Sequence, residues 1–353
     1  MNVLIESFGN WANNENGALG KWSVSTLPAG ANALPTSGRR GGPALVINPS
    51  GSIQNFALVK NITPTSNGFM GGAFKISAVP SQNIFSIMWA GNSSGPILSL
   101  GINQTGQIVI QQGGSYSSQI GNNLATSVAT FAANTYQYLE WSFSINSANA
   151  GAFSVFLNNT AIIQISGVNT SIVNTFSNFQ LGINGYNVNT PVANVFIADV
   201  YLNNSSGSFN NGLWGDTAID CFHPNGNTAV TNFAPLTANN WYEVSEVDQD
   251  GDTSYNYDAN PGDSDLFTKP VSSANVGVIK VVQLVSVAKT DVSGSRIHAN
   301  ILQSGNTIAV GANNSLGTNY LQYVDTFETD PNTGSPWLKT NFDSANIGYK
   351  VVA

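Results

Sequence analysis

YLEWSFSINSANAGAFSVFLNNTAIIQI, residues 138–165, is the stretch that decides the fold. Apolar and polar side chains alternate along Tyr138–Ile145, which is the period of a half-buried β-strand, and a second β-rich run follows at Phe153–Leu157. Asn158-Asn159-Thr160 then separates the second run from residues 161–165, and asparagine readily adopts the left-handed backbone of a tight turn. The stretch therefore predicts one strand followed by a β-hairpin.

Short β-rich runs continue on both sides of this stretch, and each is bounded by Gly, Asn, Ser or Pro. They are residues 44–48, 56–60, 84–89, 97–102, 107–110, 179–183 and 195–202. Residues 103–106 predict a hairpin loop in which Gly106 takes a positive φ. No segment has the periodicity of an amphipathic helix over three turns. The even spacing of the strands predicts a β-sandwich or jelly roll.

The order of these motifs resembles the concanavalin A-like (laminin G-like) lectin fold. The likeness is carried by a strand with Glu140-Trp141, a hairpin with an Asn tip, and a last strand with Asp199-Val200-Tyr201-Leu202. It spans about residues 1–205. The resemblance implies that the last strand returns to pair with the N-terminal strand, Leu4–Phe8.

The rest of the chain resembles the second half of bacteriophage structural proteins that carry an N-terminal lectin-like sandwich. The motifs behind this likeness are Asn211–Asp216, Pro224–Gly226, Trp241-Tyr242, Asp250–Tyr255, Asp265–Phe267 and Asp330–Trp337. The resemblance implies a virion component of the tail, neck or capsid surface, assembled in the host cytoplasm. Its partners would be other virion proteins and further copies of itself in a homo-oligomer.

Residues 211–353 are also β-rich when judged by periodicity alone. The predicted strands are residues 276–287, 296–302, 307–310, 320–327 and 347–352, and one short helix is predicted within residues 335–345. We therefore predict an all-β protein: a concanavalin A-like jelly-roll β-sandwich over residues 1–210, followed by a second, smaller β-rich domain over residues 211–353.

The distribution of charged residues supports this division into two domains and argues against some classes of binding partner. Charged residues make up 8% of the chain, against roughly 25% in an ordinary soluble domain. Five basic and four acidic residues precede Asn211, whereas acidic residues predominate after it. Only Arg39-Arg40 hints at a basic stripe, so nucleic acid is not an expected partner. No apolar stretch reaches the ~20 residues that span a bilayer, and no membrane insertion is expected.

Catalytic constellations are sparse in this sequence. Glycosidases need two carboxylates roughly 5 to 9.5 Å apart, but Glu140 and Asp199 each stand alone on their strand, and Glu140 is predicted to be a structural acid at a strand edge. Cys221, the single cysteine, and the two histidines, His223 and His298, show no triad spacing. We therefore predict a non-enzymatic structural component that acts through protein–protein contacts.

Glycan recognition is the alternative function. Lectin sites stack a sugar face on an aromatic ring and surround it with amide and hydroxyl groups. Trp89, Tyr116, Tyr136 and Tyr186 lie near Asn-rich loops and are candidates for that ring. In this alternative the chain is an adhesion module that binds host surface glycans.

Metal binding is the remaining possibility. Asp248, Asp250 and Asp252 place carboxylates at alternate positions, and calcium prefers such oxygen ligands. An EF-hand loop that begins at Asp248 would need Gly and Glu at its sixth and twelfth positions, where this chain has Thr253 and Ala259. The favoured prediction is a solvated acidic loop and no cofactor, with calcium as the alternative.

Titration of the protein with calcium tests the acidic loop. We expect no saturable heat in isothermal titration calorimetry and an unchanged melting temperature, because a solvated loop does not hold its carboxylates together for a cation. A saturable signal that disappears in an Asp250→Asn variant would instead establish a calcium site.

Overall fold

The architecture comes from a computed structural model that describes residues 2–8, 21–26, 32–34, 37–47, 55–80, 85–113, 121–184, 194–207, 209–247, 250–292 and 294–353. The chain divides into two compact units: the first ends at Asp220, and the second comprises Cys221–Ala353 together with Lys21. Both are built almost entirely of antiparallel strands. Within the described ranges no helix is long and apolar enough to cross a membrane.

The described part of the first unit contains fifteen strands. They are β1 (Asn2–Glu6), β2 (Val24–Thr26), β3 (Asn32–Leu34), β4 (Ala44–Ile47), β5 (Asn55–Thr65), β6 (Asn67–Ile76), β7 (Phe85–Asn92), β8 (Gly95–Ile102), β9 (Gln107–Gln112), β10 (Asn122–Thr130), β11 (Gln137–Ser144), β12 (Gly151–Leu157), β13 (Thr160–Val168), β14 (Phe176–Asn184) and β15 (Val195–Asn203).

These strands form two sheets. Among the described residues, the eight-stranded sheet has the order β13-β12-β11-β6-β15-β4-β3, and β1 pairs with β15. The seven-stranded sheet has the order β10-β9-β8-β7-β14-β5-β2. The chain crosses between the sheets at several points, among them β5 to β6, β6 to β7, β10 to β11 and β14 to β15, as in a jelly roll. The predicted sandwich is confirmed, and β1 pairs with β15 as the resemblance implied.

An aromatic layer fills the space between the sheets. The ring centroids of Trp141 and Phe143 lie 4.4 Å apart, Phe143 and Phe176 lie 5.2 Å apart, and Phe176 and Phe179 lie 5.0 Å apart. All four side chains are buried, and burying one such ring contributes about 1.5–3 kcal/mol. Two of them come from β11 and two from β14, so the layer joins the two sheets.

The second unit has ten strands among its described residues, with one 3-10 helix and one α-helix. They are β16 (Gly226–Thr231), β17 (Ala234–Pro235), the 3-10 helix Tyr242–Val244, β18 (Asn256–Tyr257), β19 (Ser264–Thr268), β20 (Val282–Ala288), β21 (Ile297–Ser304), β22 (Thr307–Val310), β23 (Asn314–Ser315), β24 (Leu321–Phe327), α1 (Lys339–Ser344) and β25 (Asn346–Val351).

A six-stranded sheet is the base of this unit. Its described order is β16-β19-β25-β21-β22, with β23 paired to β21, while β20 and β24 form a separate two-stranded ribbon. One hydrophobic cluster links these parts. It contains Val282 and Leu284 of the ribbon, Leu302 of the sheet, and Trp337 and Phe342. The ribbon and α1 therefore pack on the sheet through apolar side chains.

The predicted strands of the second unit are found, with one difference at β20. That strand begins at Val282 and not at Val276, because the chain before it has no strand to pair with among the described residues and leaves Val278 74% exposed. The single predicted helix is α1, within residues 335–345.

Gly71 offers a test of the packing on the eight-stranded sheet. A Cβ atom at Gly71 would lie 2.3 Å from Cε1 of Tyr201 and 3.0 Å from the hydroxyl oxygen of Tyr138. We expect Gly71→Ala to lower the free energy of unfolding by about 1–3 kcal/mol, measured by urea denaturation, because the ring of Tyr201 must move. Gly42→Ala is the control, since nothing lies within 4 Å of its added Cβ. Equal losses in both variants would contradict the packing.

Candidate functional site

A row of polar side chains crosses the seven-stranded sheet. Strand register places Gln180 of β14 opposite Trp89 of β7, Trp89 opposite Ser99 of β8, and Ser99 opposite Gln111 of β9. Directly opposed residues project to the same face of a sheet. We call these four residues the polar row.

The polar row faces away from the apolar core. Met88, Leu98, Leu100 and Ile110, which are chain neighbours of the row, belong to the core between the sheets, and side chains along a strand alternate between faces. Despite facing outward, the four residues of the row are at most 6% exposed. The polar row is therefore almost fully buried, although it lies on the face of the sheet opposite the apolar core.

Hydrogen bonds order one end of the polar row. Nε1 of Trp89 donates to the side-chain oxygen of Gln180, and the Gln180 amide donates to Oδ1 of Asn178 at 2.7 Å. Gly91 makes room for this pair, because a Cβ there would lie 2.8 Å from both amide groups. Indole, amides and backbone are thus held in one arrangement.

The other end of the polar row is not bonded in this way. No described residue forms a hydrogen bond with the Ser99 hydroxyl or with the side-chain amide of Gln111, although both residues are 6% exposed. Buried polar groups normally have partners. The Ser99 hydroxyl and the Gln111 amide therefore provide uncharged hydrogen-bond donors and acceptors in the same row as the indole of Trp89.

The outer face of the eight-stranded sheet is covered by the chain itself. We call residues 210–220 the strap. The ring of Trp214 stacks on Tyr201 with centroids 4.3 Å apart and planes at 13°. The carboxylate of Glu140 accepts hydrogen bonds from the backbone N–H of Trp214 at 2.7 Å, from that of Gly215 at 2.9 Å and from the Tyr201 hydroxyl.

Arg39 and Asp199 fasten the rest of the strap. The Arg39 guanidinium pairs with Asp199 at 3.2 Å, with Asp216 and with the carbonyl of Thr217 at 2.7 Å. Asp199 in turn accepts the Ile219 N–H at 2.9 Å. Burial raises the pKa of Asp199 above its usual range, while the Ile219 N–H and Arg39 favour the ionised form.

The two acids of the first unit that the sequence singled out therefore hold structure. Glu140 is 4% exposed and lies inside the sheet, because β11 pairs with both β6 and β12. The prediction of a structural acid fits these contacts, but its place at a strand edge was wrong. Asp199 has φ +52° within a register shift of β15, and this bulge turns its side chain toward Arg39.

The predicted aromatic candidates are not brought together. Trp89 lies in the polar row, whereas Tyr136 lies by the eight-stranded sheet, where its hydroxyl donates to the Ser37 carbonyl at 2.6 Å. Burial raises the pKa of the Tyr136 phenol, and the charge of Asp199 adds to the shift. Tyr116 and Tyr186 lie outside the described residues.

The acidic loop shows no convergence of carboxylates where it is described. Asp250 accepts hydrogen bonds from Ser254, while Asp252 pairs with Lys289 at 2.6 Å and accepts the Tyr320 hydroxyl at 2.9 Å. Asp248 lies outside the described residues. No group of three metal-ligating side chains occurs within the described ranges, and the calcium question stays a prediction.

The cysteine and one histidine are neighbours, whereas the other histidine is buried elsewhere in the second unit. Cys221 is exposed, and its sulfur lies 3.6 Å from Nε2 of His223. His298 is instead buried in the second unit, 7% exposed, where it contacts Ser286. Sequence reasoning missed both this contact and the polar row, because each joins residues from different strands.

Comparison with known proteins gave matches only among solved structures. No family model matches the chain, and no curated protein does. A glucuronan lyase from the fungus Trichoderma reesei is 15% identical, with 54% of this chain and 94% of that chain covered and a TM-score of 0.41. An alginate lyase from Aplysia kurodai is 10% identical, with 57% and 98% covered and a TM-score of 0.44.

A third match is the cellulose-induced protein Cip1, which is 11% identical, with 57% of this chain and 93% of that chain covered and a TM-score of 0.41. These similarities concern the fold. None of the matches bears on the predicted virion role or its partners, which stay predictions.

The prediction that the chain is not an enzyme is wrong, since polysaccharide lyases stand among the structures that it matches. That prediction rested on the lack of two converging carboxylates, which is a requirement of glycoside hydrolysis. Other reactions begin with proton abstraction next to a carbonyl, and several kinds of side chain can do this. A low content of acids therefore does not exclude catalysis.

Removal of the Glu140 carboxylate tests how the strap is held. We expect Glu140→Ala to lower the free energy of unfolding by about 3 kcal/mol, because two backbone N–H groups and one hydroxyl lose their acceptor. Hydrogen exchange should show faster exchange at the amides of Trp214 and Gly215. Glu140→Gln is the matched control: its side chain still offers an oxygen acceptor, so the loss should be smaller. Unchanged protection of both amides in Glu140→Ala would show that something else holds the strap.

Proposed function

We propose that the first unit binds a carbohydrate on the outer face of its seven-stranded sheet, with the polar row as the floor of the site. The observation that carries this proposal is the row itself: an indole in line with two amides and a hydroxyl, nearly buried on the outer face of a sheet. Sugar sites combine an aromatic side chain with a few fixed polar groups of this kind.

The chemistry of the row favours a neutral glycan. The four side chains carry no charge, so they offer nothing to neutralise a carboxylate or sulfate on a sugar. Trp89 and Gln180 hold each other in place, while the Ser99 hydroxyl and the Gln111 amide are left to face a ligand. Preformed groups lose little freedom on binding, which favours affinity.

Binding of neutral oligosaccharides by the full chain is the test. A glycan array identifies the ligand, and isothermal titration calorimetry then measures its affinity. We expect Gln111→Ala to weaken binding about tenfold, because one hydrogen bond of about 1 kcal/mol is lost together with ligand contacts. Gln164→Ala, at an exposed glutamine of β13 in the other sheet, should leave the affinity unchanged.

Two results would overturn the proposal: no neutral glycan bound by the full chain, or equal affinities of Gln111→Ala and the unaltered protein. Melting curves of both variants show whether either change affects folding. Incubation of the same protein with polysaccharides, followed by assay for new reducing ends or unsaturated ends, shows whether the bound sugar is also cut.

A further inference from the structure

A serine and a histidine of the second unit meet in a contact that the proposed glycan site does not use. Ser286 lies on β20 and His298 on β21. The Ser286 hydroxyl oxygen lies 2.8 Å from Nε2 of His298. A hydroxyl within hydrogen-bond distance of an imidazole nitrogen is the geometry of a nucleophile and its general base.

The surroundings of His298 keep its imidazole neutral. Burial lowers the pKa of His298 to about 4, although the charge of Asp325 and hydrogen bonding to Asn300 act in the opposite direction. The titratable groups that face it are Asp325, Tyr323, with ring centroids 5.6 Å apart, and Tyr349, at 6.2 Å. In the tautomer protonated at Nδ1, Nε2 accepts the hydrogen of Ser286.

Asn300 and Asp325 are held in place behind the imidazole. Asn300 follows His298 by two residues on β21 and so projects to the same face. Its amide donates to Asp325 at 2.9 Å and to the Tyr323 carbonyl at 3.1 Å. Asp325 also accepts the Ala312 N–H at 2.7 Å. In serine and cysteine hydrolases an amide or a carboxylate that hydrogen-bonds the imidazole orients the base, and here Asn300 hydrogen-bonds His298 while Asp325 holds Asn300.

The exposure of these residues fits a catalytic arrangement, in which the base and its positioning residues are buried and the nucleophile is accessible. His298, Asn300 and Asp325 are at most 9% exposed, whereas Ser286 is partly exposed. Among the described residues β20 pairs only with β24, so the backbone N–H groups of β20 that point away from β24 are not engaged by a second strand. Such N–H groups can stabilise an oxyanion that forms beside Ser286.

We propose that Ser286 and His298 form a nucleophile–base pair that cleaves short acyl esters, with Asn300 and Asp325 as positioning residues. Oγ of Ser286 attacks the ester carbonyl while its proton passes to Nε2 of His298. The tetrahedral intermediate then loses the alcohol, which takes that proton, and leaves an acyl-serine. Water attacks the acyl-serine with His298 again taking the proton, and the carboxylic acid and free Ser286 are released.

Labelling of the full chain with a fluorophosphonate, which phosphonylates activated serines, tests the pair. We expect the label on Ser286, located by peptide mapping, and a rate that rises through about pH 4 and is level above it, as His298 loses its proton. p-Nitrophenyl acetate should give a burst of nitrophenol from acylation of the same serine.

Variants separate this chemistry from a merely structural contact. Ser286→Ala should abolish both the label and the burst, and His298→Gln should slow labelling about 100-fold, the loss of a general base. Ser273→Ala, at an exposed serine of the same unit, is the matched control and should react like the unaltered chain.

Circular dichroism melting shows which variants stay folded, and the pH profile of the unaltered chain needs no variant. Absence of label on Ser286, or a rate that His298→Gln leaves unchanged while the variant is folded, would show that the contact only joins the two layers. Because Ser286 lies in the second unit, failure of this test leaves the glycan proposal untouched.

Discussion

The aromatic layer between the two sheets is the contact on which the first unit depends. Trp141 and Phe143 enter it from β11, and Phe176 and Phe179 enter it from β14. Because side chains alternate along a strand, this inward set also determines what points outward. Glu140, the neighbour of Trp141 in sequence, therefore points to the face that the strap covers. In the same way Gln180, the neighbour of Phe179, points to the face that carries the polar row.

Periodicity within a strand was enough to predict the class of fold. Runs such as Phe153–Leu157 and the Asn158–Asn159 turn carry their structure in local sequence, and both asparagines do take a positive φ. The return of β1 to β15 came from the family resemblance. Which strands lie side by side, and in which register, is decided by long-range packing that a single sequence does not display.

The polar row shows what local patterns miss. Its members come from four strands, and Trp89 and Gln180 are 91 residues apart. A weak signal did exist, because Ser99 interrupts an apolar run and should therefore face away from its neighbours. The sequence signal for Ser286 and His298 is weaker, because neither residue belongs to a known catalytic motif. Only the packing of the ribbon on the sheet brings them together.

The strap has a consequence for how this sandwich can be moved between proteins. Residues beyond the last strand, from Asn210 to Asp220, complete the surface over Glu140, Tyr201 and Arg39. A recombination point placed directly after β15 would deliver a sandwich in which the carboxylate of Glu140 and the phenol ring of Tyr201 are uncovered. A transferable module therefore has to carry its own cover and end at Asp220 or later, and gene fusions that kept this fold intact would be expected to respect that limit.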